Sequence, residues 1–480
     1  MKAHITLVNP PQTTGAPNSG FIPLGIGYLA AVLEEDGYTV DVIDCQVQQH
    51  SATELETELA RLQPEVIGIT STTLTYKSAT EIVKTAKKAC PNSLIILGGP
   101  HVTVLDEQTL NEQPEVEIIV RGEGERTLLE LADRVSKSNM KDLDGVTGIT
   151  FRKNGQIVQT PDRPFIQNID DLPYPAFKHF DVSKYRIFGK TYLPVITSRG
   201  CPFQCTFCLA SKMCGRGFRA RSPKNVVDEL EFLRDTYGAE AFSFYDDTFT
   251  FDRKRARDIC KEMKTRKVDL QWDCRTRVDR ISKEDLAVLR DANCQLIHFG
   301  VESGSQKMLN LMKKGTTVEQ NARAIKWAKD AGISVAISVV VGYPGETPEL
   351  MQETLDFMYK TRPDYVYMCV AIPYPGTEMY DYLNELGWEM SPRWDRYDEQ
   401  TVVFKNPLLS PEQIMENERV FFNKFFSLSY LLRHSVKRDF YSKIMARSAL
   451  NHILWRVKLP RLVSATFKKL PSKQKDQQQT

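Results

Sequence analysis

The sequence predicts an α/β chain in three parts: a doubly wound N-terminal domain, a partial (β/α)6 barrel and a helical C-terminal segment. Two stretches alternate strand-like and helix-like patterns, a Pro-rich connector separates them, and the last stretch carries apolar residues at helical spacing. At 480 residues the chain is too long for one ordinary core.

Taken in order, apolar runs at 4–8, 39–43, 66–70, 94–97 and 117–120 are the predicted strands of the first domain. Helical patterns follow them at 25–35, 53–61, 77–89, 102–110 and 125–135. Strands that are apolar throughout are buried on both faces, so the sheet is parallel and covered by helices on each side. Its ligand is expected beyond the carboxyl ends of the strands. The loops there are Asn9-Pro10-Pro11, Ser71-Thr72-Thr73, Gly98-Gly99-Pro100-His101 and Arg121-Gly122-Glu123-Gly124-Glu125. Glycines and hydroxyls at these points let a large polar ligand approach the backbone, although tight βα turns use the same residues.

Residues 149–152 and 156–159 around Asn154-Gly155 read as a β-hairpin. Asp171-Leu172-Pro173-Tyr174-Pro175 marks a domain boundary. Barrel strands are predicted at 194–197, 241–245, 270–274, 296–301, 334–341 and 365–372, with helices such as 224–236 and 320–329 between them. Six units make most of a (β/α)8 barrel, whose catalytic groups sit at the carboxyl ends of the strands. The expected domains are therefore 1–140, a hairpin and linker at 141–190, the barrel at 191–400, a basic helical region at 401–465 and a disordered tail at 466–480.

The composition, 41% hydrophobic and 26% charged, is that of a soluble globular protein. No apolar run approaches the roughly 18–20 residues that span a bilayer. The start of the chain lacks a signal-peptide pattern, so the expected location is cytoplasmic. Charge is unevenly placed: residues 421–480 hold 13 Lys/Arg against two Asp/Glu, while the first 420 residues hold 50 against 59. Such a tail fits an anionic partner, whether lipid, nucleic acid or the protein's own acidic surface, or else it is a helical cap with a solvated basic face. Trp394-Asp395-Arg396-Tyr397-Asp398 bridges barrel and tail, as a packed connector or a cover over substrate.

Three of ten cysteines fall within eight residues, in Ser198-Arg199-Gly200-Cys201-Pro202-Phe203-Gln204-Cys205-Thr206-Phe207-Cys208. Thiolates on one loop suit an iron–sulfur cluster, and three ligands leave a fourth iron open to a small molecule. Zinc competes, because Cys214 could supply a fourth ligand. The other cysteines read as small buried side chains.

This C-x3-C-x2-C motif, with Phe207 before its last cysteine and a strand before its first, resembles the radical S-adenosylmethionine (SAM) superfamily. The resemblance implies that Cys201, Cys205 and Cys208 hold a [4Fe–4S] cluster that reductively cleaves SAM. It further implies SAM contacts at Phe207, Asp246, Asp247, Glu302, Ser338, Gly342 and Pro373. A flavodoxin-like domain before such a barrel resembles the cobalamin-binding class, through Pro23-Leu24-Gly25 and the Gly98 and Arg121 loops. That class implies cobalamin contacts at Pro10, Pro23, Thr72, Thr73, Gly98, Gly99, Pro100, Glu123, Gly124 and Glu125. The Asp-x-His-x-x-Gly pattern that supplies a cobalt ligand is absent from Asp44-Cys45-Gln46, so base-off cobalamin without a protein His is expected.

The implied activity is C-methylation of a small-molecule or lipid-like substrate, with a flavodoxin or ferredoxin as the one-electron donor. Radical cyclisation or rearrangement of a tetrapyrrole or lipid is the alternative. An RNA methylthiotransferase would share the triad but adds an N-terminal cysteine set and a C-terminal β-domain, so nucleic acid is not expected as a partner. The basic tail offers contact at the membrane periphery.

Overall fold

A computed structural model describes residues 2–13, 21–140, 143–187, 189–437 and 439–456. The tail expected at 466–480, and the end of the helical region before it, lie outside the described residues.

The first sheet has seven strands: β1 (His4–Asn9), β2 (Thr39–Asp44), β3 (Val66–Thr70), β4 (Leu94–Gly98), β5 (Ile118–Val120), β6 (Ile149–Lys153) and β7 (Gln156–Gln159). Their order is β2-β1-β3-β4-β5-β6-β7. The first five are parallel. Alternation along each strand feeds two cores. Ile5, Leu7, Val66, Ile96 and Ile118 pack with the helices Leu24–Glu35 and Glu125–Ser136. Val8, Ile67, Ile69, Ile95 and Ile119 pack with Ala52–Leu62 and Tyr76–Ala89. Both sheet faces are thus covered, as apolar strands require.

The hairpin does not stand apart as a linker. Its strands β6 and β7 extend the first sheet antiparallel beyond β5. Asn154 and Gly155 both take positive φ, the geometry of a type I′ turn. Arg121, at the end of β5, ties the join by donating to the Ile149 carbonyl at 2.6 Å and the Thr160 carbonyl at 2.5 Å. The edge that β5 would expose is thereby paired. The Pro-rich connector then straps back across the domain, with Ala176 N–H donating to Gly27 O at 2.9 Å.

Strands β8 (Arg186–Ile187) and β9 (Lys190–Val195) begin the second sheet. A short antiparallel pair follows, β10 (Ser198–Arg199) with β11 (Arg219–Ala220). The remaining strands are β12 (Ala241–Phe244), β13 (Gln271–Thr276), β14 (Cys294–Glu302), β15 (Ser334–Val341) and β16 (Tyr365–Val370). The sheet runs β16-β15-β14-β13-β12-β9-β8, parallel from β9 onward, and curls as six β/α units of a barrel. Its first strand starts four residues before the predicted Pro194. That proline is tolerated inside β9 because β8 pairs only with Lys190 and Thr191, which leaves the side lacking an N–H unpaired.

Three helices, Pro411–Phe425, Leu428–Ser435 and Phe440–Arg456, form the predicted helical end. They close the base of the barrel. Tyr441 Oη donates to the fully buried Asp273 at 2.6 Å, which also receives Tyr192 Oη and Ser243 Oγ. Among the described residues no helix is long and apolar enough to cross a membrane.

Candidate functional site

The cysteine loop leaves the carboxyl end of β9 and is clamped at both ends by the β10–β11 pair. Only glycine fits at position 200: its φ is +89°, and a Cβ would lie 2.1 Å from the Gly217 carbonyl. Cys201 N–H donates to Gly215 O and Cys208 N–H to Cys205 O, each at 3.1 Å. Thr206 pins the middle, with its hydroxyl 2.6 Å from Tyr343 Oη and its N–H donating to Met312 O.

Cys201, Cys205 and Cys208 all line one cavity of about 260 Å³ at the carboxyl ends of the barrel strands. Among the described residues no set of three or more His, Cys, Asp or Glu converges as ligands for a single ion. A [4Fe–4S] cluster takes each thiolate on a different iron and needs no such point, so the donor set fits the cluster. Cys214, the fourth ligand that zinc would want, lines a different cavity. Arg277 Nη1 lies 3.9 Å from Cys205 Sγ, and Lys314 also faces the cavity. Both are cations suited to an anionic cluster.

Of the residues expected to contact SAM, Phe207, Asp247, Glu302 and Ser338 line this cavity. Burial, then the neighbouring Asp246, pushes the Asp247 carboxyl up to about 6. Glu302 is buried and paired with Lys314 at 2.7 Å. Gly300 makes room for that pair, because a Cβ there would stand 2.5 Å from Glu302 Oε1 and 2.8 Å from Lys314 Nζ. The other three do not line the cavity. Asp246 turns back into the chain and accepts from Thr197 N–H at 2.6 Å and Ser198 Oγ at 2.7 Å. Gly342 lies against Ile414 of the C-terminal helices, where a Cβ would approach to 2.7 Å. Pro373 is buried in the turn after β16.

Four ionisable residues that the sequence reading missed also line the cavity: Arg275, Arg277, His298 and Lys314. Arg275 lies 3.8 Å over the Tyr245 ring, and its Nη1 is buried without a hydrogen-bond partner among the described residues. Arg277 stacks 3.6 Å from Phe203 and donates to Lys314 O at 2.7 Å. His298 is 2.6 Å from Ser338 Oγ and stacks on Tyr367. Burial first, then Arg275 and Lys314, lowers its pKa to about 3, so the ring is neutral. A period-two count inward from the strand ends would have reached Arg275 and His298.

A second cavity, of about 360 Å³, opens between the first domain and the barrel. Gly98, Gly99, Pro100, Glu123, Gly124 and Glu125 line it as expected from the sequence, together with Gly68, Thr70, Tyr28 and Arg199. Gly99, at φ +100°, brings the backbone so close to Ser71 that a Cβ would sit 2.6 Å from its carbonyl. Gly68, Gly98, Gly122 and Gly124 share this wall, and a wall without side chains fits a broad macrocycle such as a corrin. Pro10, Pro23, Thr72 and Thr73 do not line it. Pro23 instead precedes the helix Leu24–Glu35, Thr72 N–H donates to Thr75 Oγ1 at 3.0 Å, and Thr73 Oγ1 meets the buried His101 Nδ1 at 3.2 Å.

Glu123 and Glu125 face the barrel across this cavity. Arg199 reaches Glu125 at 2.7 Å and Glu123 at 3.3 Å, and Arg219 reaches Glu123 at 2.8 Å. Burial works to raise Glu123, but Arg219 and Arg199 hold its carboxyl below the ordinary value. Asp247 lines both cavities, so the two adjoin.

Comparison with known proteins agrees with this geometry. The chain matches the Radical SAM superfamily over residues 195–358 and the B12 binding domain over residues 16–132. It is 35% identical over 404 residues to an uncharacterized methyltransferase of Pyrococcus horikoshii, covering 84% of this chain and 87% of that protein. It is 31% identical over 421 residues to the anaerobic magnesium-protoporphyrin IX monomethyl ester cyclase of Rubrivivax gelatinosus, covering 84% and 74%. The fold is similar to that of the radical SAM methyltransferase TsrM from Kitasatospora setae, solved with cobalamin and a [4Fe–4S] cluster bound. That likeness has a TM-score of 0.71 at 19% identity and covers 89% of each chain.

Proposed function

The chain belongs to the cobalamin-binding radical SAM family, and on that footing we propose that it methylates an unactivated carbon of a small-molecule or lipid-like substrate. Like its family, it binds a [4Fe–4S] cluster, SAM and cobalamin. The observation that carries the methylation reading is the shared lining residue Asp247, which sets the glycine-lined cavity beside the cysteine cavity.

When bound, the cluster with SAM supplies a 5′-deoxyadenosyl radical and cobalamin supplies a methyl group that can leave homolytically. The chain's own residues position these groups. Cys201, Cys205 and Cys208 would hold the cluster and leave one iron open to SAM. Glu302, kept in place by Lys314, accepts the ribose hydroxyls, and Asp247 takes the amino group. Gly98, Gly99 and Gly124 let the corrin lie against backbone, and no His is among the described residues lining that cavity. This supports base-off cobalamin without a protein His on cobalt.

The ten free cysteines fit the cytoplasm, where a flavodoxin or ferredoxin serves as reductant. A cyclase reading is favoured by the 31% identity to an anaerobic cyclase. A methylthiotransferase acting on RNA fits less well, since the described C-terminal elements after residue 410 are helices. The deciding experiment is anaerobic reconstitution followed by reaction with methyl-labelled SAM and cell extract. Methylation gives 5′-deoxyadenosine together with a labelled product. 5′-Deoxyadenosine without label in any product would favour cyclisation.

A further inference from the structure

We propose that the outer face of the helix Leu428–Ser435 docks the enzyme on the surface of an anionic lipid bilayer. Leu428, Leu432 and Val436 are 67%, 66% and 78% exposed. Their spacing of four places them on one face. Trp455, at the end of the last described helix, is 68% exposed. It stands one turn from His452, whose ring is 5.2 Å from Phe426 just before Leu428, so it lies at the same end of the helix pair Leu428–Ser435 and Phe440–Arg456.

The opposite face of the helix is fixed. Tyr430 and His434 are buried, and Tyr430 Oη donates to the Asp364 carbonyl at the base of β16. The exposed leucines are therefore not a loosely packed inner face. Isolated exposed apolar residues need no explanation, but a ridge of them rimmed by cations does.

Charge selects the partner. Arg433 and Lys437 are exposed beside the ridge. Residues 421–456 hold seven Lys/Arg and one acid, Asp439, and residues 457–480 add six more Lys/Arg in sequence. A second copy of the chain docking through the same face would bring these cations together, which opposes self-association. Apolar side chains projecting from a basic helix, with a tryptophan at its rim, match the boundary between headgroups and acyl chains. The helix hangs from the amino end of β16, whereas the cysteine loop leaves the carboxyl end of β9, so lipid contact leaves both cavities free. This inference does not depend on which reaction the site performs.

Flotation of the full-length, reconstituted protein with vesicles tests it. Binding to phosphatidylcholine vesicles containing phosphatidylglycerol is expected to exceed binding to phosphatidylcholine alone by about tenfold or more and to weaken with salt. The double variant Leu432→Asp/Val436→Asp should lose about tenfold of that binding, with iron content and melting temperature unchanged. Leu386→Asp, at an exposed site elsewhere, should float like the parent. Equal binding to both vesicles, or none, overturns the proposal. So does a parent dimer that the double variant dissolves, or flotation seen only after truncation behind Arg456, which would mean that the chain's own end covers the ridge.

Discussion

Arg199 and Glu125 form a buried ion pair of 2.7 Å that joins the cysteine loop to the helix opening the glycine-lined cavity. Arg199 stands two residues before Cys201, packs over the Tyr28 ring and also faces Glu123. Its side chain is 11% exposed and that of Glu125 is 7% exposed, so removing the cation strands Glu125 in low dielectric, while Glu123 keeps Arg219. Arg199→Met should cost roughly 3–5 kcal/mol in the unfolding free energy. Arg199→Lys keeps the charge but loses the fork and should fall between. Urea unfolding measures the cost. The corrin absorption spectrum, titrated with cobalamin, should show weaker binding in the same order. Unchanged stability in Arg199→Met would show that the bridge does not hold the domains together.

The three cysteines of one cavity should behave differently from the cysteine of the other. Cys201→Ala, Cys205→Ala and Cys208→Ala should each lose most of the iron and sulfide taken up in anaerobic reconstitution, whereas Cys214→Ala should keep both. Zinc uptake by the parent that falls in Cys214→Ala would instead support a four-thiolate zinc site.

Gly300, Glu302 and Lys314 form one unit in which each residue has a separate task. Glu302 takes a φ of +64° beside a break in strand register, which carries its carboxylate into the cavity. Lys314→Met should weaken equilibrium binding of SAM by about tenfold, because the buried carboxylate loses the cation that holds it in place. Gly300→Ala should weaken it similarly by pushing the pair apart. Isothermal titration with SAM measures both losses, and unchanged affinity in Lys314→Met would show that the pair does not position Glu302.

The alternation of strands and helices could be read in the sequence because buried parallel strands need apolar side chains on both faces, as Ile67, Ile69, Ile95 and Ile96 show. The turn of the hairpin was equally legible in Asn154-Gly155, but not its partner, since pairing with β5 depends on Arg121 reaching across the sheet. At the site, the limit was orientation. Asp246 and Asp247 are neighbours at one strand end, yet one binds Thr197 and Ser198 while the other faces both cavities. Lys313 and Lys314 are likewise adjacent. The first pairs with Glu378 at the surface and the second with buried Glu302. No local pattern distinguishes such neighbours, because the turn geometry that assigns them is set by contacts distant in sequence.

Glu346 gives the turn after β15 a pH dependence. It is fully buried, no cation among the described residues faces it, and Gly342 N–H donates to its Oε2 at 2.5 Å. Burial raises its carboxyl from 4.5 to about 8, against the smaller opposing effect of that hydrogen bond. The folded state therefore holds a proton that the unfolded chain releases above pH 4.5. This contribution to stability is fully present below about pH 4.5 and is lost as pH rises towards 8, by at most about 1.4 kcal/mol per pH unit. Glu346→Gln keeps the acceptor for Gly342 N–H and removes the titration. Its unfolding free energy should match the parent near pH 5 and exceed it near pH 8, with a flatter profile between. A parent profile no steeper than that of the variant would mean that Glu346 is ionised in the folded protein, with a cation or water reaching its Oε1.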